Sequence, residues 1–154
     1  MYKLVIVIIS IITFNLTGHA TAFHNNDRHQ IIQSYLKSLS HLDADSAISL
    51  FVPDGIVISR HQGQVKAMDF LPAFVQKFNQ LEMKELMFFV SENNDLYAVE
   101  IGSTGVKVSG EPVSSTFMVI FQFAKYSNQF EKIIIFANDT LKYPPTTKMI
   151  ESFS

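Results

Sequence analysis

The run STFMVIFQFAKYSNQFEKIIIFA at residues 115–137 decides the fold class. Two β-branched and aromatic stretches, Ser115 to Ala124 and Phe130 to Ala137, flank the turn-forming Ser127-Asn128-Gln129. Such a pattern predicts two strands joined as a hairpin. Toward the N-terminus, Glu85 to Ser91 and Leu96 to Gly102 read the same way around Asn93-Asn94-Asp95. Further upstream the period changes. Ile31, Ile32, Tyr35, Leu36 and Leu39 share one helical face, which predicts an amphipathic helix from about Asp27 to Ser40. Asp43 is a suitable N-cap for a second short helix carrying Ala44, Ala47, Ile48, Leu50 and Phe51. Pro53-Asp54-Gly55 signals a turn, and Ile56-Val57-Ile58 a short strand reaching toward His61. Gln62-Gly63-Gln64 reads as a loop. Asp69 can cap a third helix bearing Phe70, Leu71, Phe74, Val75 and Phe78, with Pro72 in its first turn. Helix, helix, strand, helix and then four hairpin-linked strands is an α+β order, with three N-terminal helices packed on a mainly antiparallel sheet.

These strands carry more apolar surface than one buried face needs. An antiparallel sheet with one wet face alternates apolar and polar residues. Leu86-Met87-Phe88-Phe89-Val90, Phe117-Met118-Val119-Ile120-Phe121 and Ile133-Ile134-Ile135-Phe136 do not alternate. Helices can cover one side. The other calls for a partner, a ligand or the tail from Leu141 to Phe153, and a homodimer through the sheet face is the leading expectation.

Composition narrows the function classes. The chain has 154 residues, enough for one domain, and 47% of them are hydrophobic, including 14 Phe. That excludes a disordered chain. Net charge is −2, which gives no cationic surface for phosphates, so no nucleic-acid partner is expected. Cysteine is absent, which excludes disulfides, thiolate metal sites and cysteine nucleophiles. His24, His29, His41 and His61 lack the spacing of a helical zinc pair, so no metal and no cofactor are expected. No glycine-rich phosphate loop or Gly-x-Ser-x-Gly elbow occurs.

Residues 1–22 read as a signal peptide. Lys3 precedes an apolar stretch from Leu4 to Leu16, Gly18 breaks it, and Ala20-Thr21-Ala22 offers a small-x-small cleavage site. The run is short for a membrane span of about 20 residues, so no stable membrane anchor is expected after cleavage. The expected layout is a signal peptide at 1–22, a domain at 23–140 and a tail at 141–154. The expected location is outside the cytoplasm, in the periplasm or medium if the source is bacterial. Asn138-Asp139-Thr140 would be a glycosylation sequon in a eukaryotic secretory route.

The chain after residue 22 resembles the nuclear transport factor 2-like superfamily, which includes SnoaL-like proteins and ketosteroid isomerases. The likeness runs through Tyr35, Leu39, Asp43, Ile48, Leu50-Phe51, Asp54-Gly55 and Val57. It continues at Ala67 to Phe74, similar to a Gly-x-x-x-Ile-x-x-Phe helix start with Ala67 in place of Gly and Leu71 in place of Ile. Phe130-Glu131-Lys132-Ile133-Ile134, Phe136 and Asn138 resemble the last strand. The resemblance implies a cone-shaped roll, in which a curved sheet wraps the helices and leaves an apolar pocket at its open end.

For the isomerases it implies an oxyanion-hole tyrosine at Tyr35. Their general-base aspartate falls on Ser59, whose hydroxyl cannot take a proton at neutral pH as a carboxylate does, and their second oxyanion donor falls on Val119. Ketosteroid isomerase activity is therefore not expected. The implied pocket lining is Tyr35, Val57, Ser59, His61, Phe74, Phe78, Tyr97 and Val119. Val57, Ser59 and His61 share a strand face. Tyr35 and His61 are the candidate catalytic pair, His61 because its ordinary pKa lies near neutrality. Each also has a plain structural role open to it, Tyr35 in the core and His61 in an exposed loop. Three functions follow: an exported module that binds a small hydrophobic molecule, a SnoaL-like enzyme acting on a hydrophobic carbonyl substrate, or a dimeric interaction protein whose cone is filled.

Overall fold

The computed structural model describes residues 25–137. The signal peptide and most of the tail expected from sequence lie outside them. The elements in chain order are α1 (Asn25–Ser40), α2 (Ala44–Ile48), β1 (Phe51–Ser59), β2 (Gly63–Lys66), α3 (Ala67–Val75), β3 (Phe78–Val90), β4 (Leu96–Lys107), β5 (Pro112–Phe123) and β6 (Phe130–Ala137). The strands form one six-stranded sheet in the order β2-β1-β6-β5-β4-β3. All neighbouring pairs are antiparallel except β1 with β6, which run parallel. The architecture is α+β, helices on a mixed but mainly antiparallel sheet. Among the described residues no helix is long and apolar enough to cross a membrane.

Local departures from the sequence expectations have identifiable causes. Pro53-Asp54-Gly55 does not end an element; it forms an irregularity inside β1, where the register with β6 shifts between Phe51 and Ile56. A Cβ on Gly55 would lie 2.7 Å from Phe51 Cδ1, so the bulge needs glycine. The loop at Gln62-Gly63-Gln64 turns back as the short strand β2, with Gly63 at φ +66. Asp69 is not a cap. The third helix begins at Ala67 with Lys66 extended before it, so Pro72 sits inside the helix, beyond its first turn. Phe78 opens β3 and does not continue the helix. The β3 and β4 strands are longer than predicted, because Gln80 to Lys84 still pair in register with Gly102 to Val106. Asp43 does cap α2: its carboxylate accepts the Ser46 hydroxyl and, at 2.9 Å, the Ser46 N–H, and these two bonds hold its pKa below the usual carboxylate value.

The inner face of the sheet is built in rungs. Val57, Ile133, Phe121, Tyr97 and Val90 are cross-strand neighbours on one rung; Ile135, Val119, Val99 and Phe88 make the next. Ile101 and Phe117 follow, then Met83, Ser103 and Ser115. The α1 helix lies beside β3. Ser40 Oγ accepts the Met83 N–H at 3.0 Å, and His29 Nε2 lies 2.8 Å from Glu85 Oε2, with its ring stacked on Phe88. At one end the face is packed shut. Phe121, Phe130 and Tyr97 have no exposed surface, and the Tyr35 ring meets Phe51, Phe121 and Phe130 edge-on at 5.6–6.1 Å between centroids. Buried Arg28 clamps that end. Its guanidinium donates to the carbonyls of Asn94 and Ser127, one in each of the β3–β4 and β5–β6 connections, and lies over the Phe123 ring at 4.8 Å.

The outer face keeps the apolar surplus seen in the sequence. Phe89, Ala98, Ile120, Ile134 and Ile58 form one rung, and Met87, Glu100, Met118 and Phe136 the next. Leu86, Met87, Phe89 and Phe136 are each at least half exposed.

Candidate functional site

At the other end the helices do not fill the sheet's concavity, and a cavity of about 560 Å³ remains. Its helical wall is Tyr35 and Leu39 from α1 and Phe70 and Phe74 from α3, continued by Phe78 at the start of β3. Its sheet wall is Met83, Ile101, Ser103, Phe117, Val119, Ile133 and Ile135, and residues 111–115 form the remaining side. The aromatic side of this wall follows from spacing. Phe70, Phe74 and Phe78 recur every four residues, and the first two stack with centroids 6.0 Å apart. Phe74 and Phe78 meet at 5.3 Å although the second lies on a strand.

Four of the residues expected to line a pocket do so: Tyr35, Phe74, Phe78 and Val119. Four are elsewhere. Val57 is fully buried on the closed inner rung. Tyr97 is fully buried there too, edge-on to Phe123, and burial raises its phenol pKa against the opposing pull of Arg28. Ser59 lies two residues beyond Val57 and accepts the Gln62 N–H at 3.3 Å, which uses it to close the turn into β2. His61 is exposed in that turn and is not part of the wall. The expected face-sharing ends at Ser59, because the strand stops there and the chain reverses. Tyr35 and His61 are therefore not brought together in this cavity.

Sequence reasoning missed the polar part of the wall. Ser103 is 8% exposed and lines the cavity. Ser115 is its direct cross-strand neighbour on β5. The signal was present as two serines in otherwise apolar strands, but their pairing depends on register, which periodicity does not supply. The Tyr35 hydroxyl has no hydrogen-bond partner among the described residues. Burial drives its pKa well above the ordinary phenol value, so it is a neutral donor. Among the described residues, Glu111, ion-paired to Lys107 at 2.7 Å and largely exposed, is the only carboxylate of the lining, which contains no histidine, lysine or arginine. Among the described residues no group of three or more His, Asp or Glu is arranged to hold a metal ion.

The fold has many counterparts among solved structures. AusH from Aspergillus nidulans superposes with a TM-score of 0.66 at 12% identity, over 75% of this chain and 86% of that one. A nuclear transport factor 2-like protein of unknown function from Burkholderia pseudomallei gives a TM-score of 0.61 at 12% identity, over 73% of this chain and 91% of that one. A protein with a ketosteroid isomerase-like fold from Catenulispora acidiphila, crystallised with trimethylamine, gives 0.61 at 9% identity, over 71% and 85%. At these identities the likeness establishes the fold, the nuclear transport factor 2-like cone, which serves both small-molecule binders and enzymes. No protein-family model matches the chain. No curated protein matches it either.

Proposed function

We propose that this protein, a nuclear transport factor 2-like cone, is an exported binding module that holds a small hydrophobic molecule in the cavity of its open end. The observation that carries the reading is the cavity's make-up: about 560 Å³, walled by four phenylalanines and aliphatic side chains, with a few hydroxyls. That volume lies in the usual range of small-molecule sites, about 300–1,000 Å³. A proton-transfer enzyme needs an acid or base at the reacting atom. The inner wall offers a neutral tyrosine and serines, while Glu111 stands paired with Lys107 and His61 stands outside the lining. Binding is thus better supported than SnoaL-like catalysis on a carbonyl substrate. Native mass spectrometry of gently extracted protein, together with titration by the uncharged fluorophore N-phenyl-1-naphthylamine, tests it. A co-purifying apolar molecule or saturable fluorophore binding is expected. No fluorophore binding and no bound molecule would overturn the reading.

We further propose that a second copy of the chain covers the outer sheet face. The support is the apolar outer face itself, on which Leu86, Met87, Phe89 and Phe136 are each at least half exposed. A two-fold axis along β5 would set two such faces against one another around an apolar centre at Met118 and Ile120. Sedimentation of the wild type should give a dimer and of Ile120→Lys a monomer. A wild-type monomer at micromolar concentration would end this proposal. Export rests on residues 1–22, and N-terminal sequencing of the protein released by expressing cells should begin at Phe23.

A further inference from the structure

The cavity's polar groups are arranged in a way that restricts what can occupy it. Moving along the inner face from the packed end, the β4 and β5 members of each rung are apolar until Ser103. There β4 and β5 place two hydroxyls side by side, Ser103 and Ser115, opposite Met83 on β3. All three line the cavity. Below them lie Ile101, Phe117 and Val119, and beyond them Val113 and Glu111. Ser103 is 8% exposed as a residue and lines the cavity. Two neighbouring hydroxyls in an otherwise apolar part of the wall offer a ligand's polar group hydrogen bonds in exchange for those it makes to water.

The charge pattern then selects among ligands. Among the described residues no cationic side chain lines the cavity, and the one carboxylate is that of Glu111. An anionic head group seated at Ser103 would lose its hydration without gaining a counter-charge, which is strongly unfavourable. An uncharged head group would exchange water for two hydroxyl partners at little cost. Resting on the binding role proposed above, we infer that the cavity takes an uncharged amphiphile. Its alcohol, ester or amide head sits at the Ser103–Ser115 step, and its apolar body extends inward among Phe74, Phe117 and Val119. Fatty-acid anions of the same length are refused.

The test uses decan-1-ol and decanoate at pH 8 as competitors against N-phenyl-1-naphthylamine on the full exported chain. Decan-1-ol should displace the fluorophore at a concentration at least about tenfold lower than decanoate does. Ser103→Ala should weaken decan-1-ol by about two- to tenfold relative to the fluorophore affinity measured in the same variant. Ser115→Ala, at a more exposed position, should weaken it in the same direction and less. Decanoate competing as well as decan-1-ol would overturn the inference while leaving the binding role intact. So would decan-1-ol affinity unmoved by both substitutions. A protein that binds neither fluorophore nor alcohol would overturn both.

Discussion

The two ends of the inner sheet face are made from the same strands, yet one is a solid and the other a container. At the packed end Tyr97, Phe121, Phe123 and Phe130 interlock, and Arg28 ties α1 to the connections on either side. At the open end the same strands present Ile101, Phe117 and Ser103 to space. The sheet pairing continues unbroken between them, since β4 and β5 stay in register from Leu96–Gln122 to Val106–Pro112. The difference lies in what faces the sheet. Near Phe121 the facing group is a tyrosine ring in edge contact with three others. Near Ser103 it is the short helix α3, whose phenylalanines form the opposite wall without reaching across. The packed core and the cavity thus lie at different ends of one sheet.

That division is most easily broken with large-to-small substitutions. Phe121→Ala removes a fully buried ring from the packed end, and a loss of about 3–5 kcal/mol in urea unfolding is expected. Phe117→Ala removes the same ring from a wall that already borders empty space, and a loss of only about 1–2 kcal/mol is expected. Equal losses would mean that the two ends share one packed core in solution. Arg28→Met should fall between them. It abandons two buried carbonyls and a ring contact while keeping an apolar stem in place, at a cost of about 2–3 kcal/mol. Hydrogen exchange should quicken in the connections around Asn94 and Ser127 and stay unchanged around Ser103.

The sequence made the packed end readable and left the open end half dark. Periodicity marked Tyr35, Leu36 and Leu39 as one face and Phe117 to Phe121 as a strand, and the described structure keeps both. The order of helices and strands was enough for an α+β class. Boundaries failed where one residue type serves two purposes. Proline and glycine at 53–55 mark a bulge as well as a turn, and Phe78 continues the helical stripe yet begins a strand. The cavity was legible only in part because it is defined by what does not touch. Phe74 and Val119 sit where an apolar pattern puts them, but whether they meet a neighbour or a void depends on helix length and sheet curvature. His61 seemed aligned with Val57 and Ser59 because strand alternation was extended two residues past the point where Ser59 closes a turn.

Tyr35 sits at the boundary of the two ends, and removing its hydroxyl gives the smallest and sharpest test. Its ring belongs to the packed cluster, while its residue also lines the cavity and is 4% exposed. A hydroxyl that held the core together would have a partner, and Tyr35→Phe would then cost about 0.5–1.5 kcal/mol. No described residue supplies that partner. Tyr35→Phe should therefore leave the urea midpoint unchanged within about 0.5 kcal/mol, or raise it slightly by removing an unsatisfied polar atom. Tyr35→Ala, by contrast, deletes the ring that touches Phe51, Phe121 and Phe130 and should cost several times more, about 3–5 kcal/mol. A large loss from the hydroxyl alone would place that group in the packed end, and the boundary would have to be redrawn on the cavity side of α1.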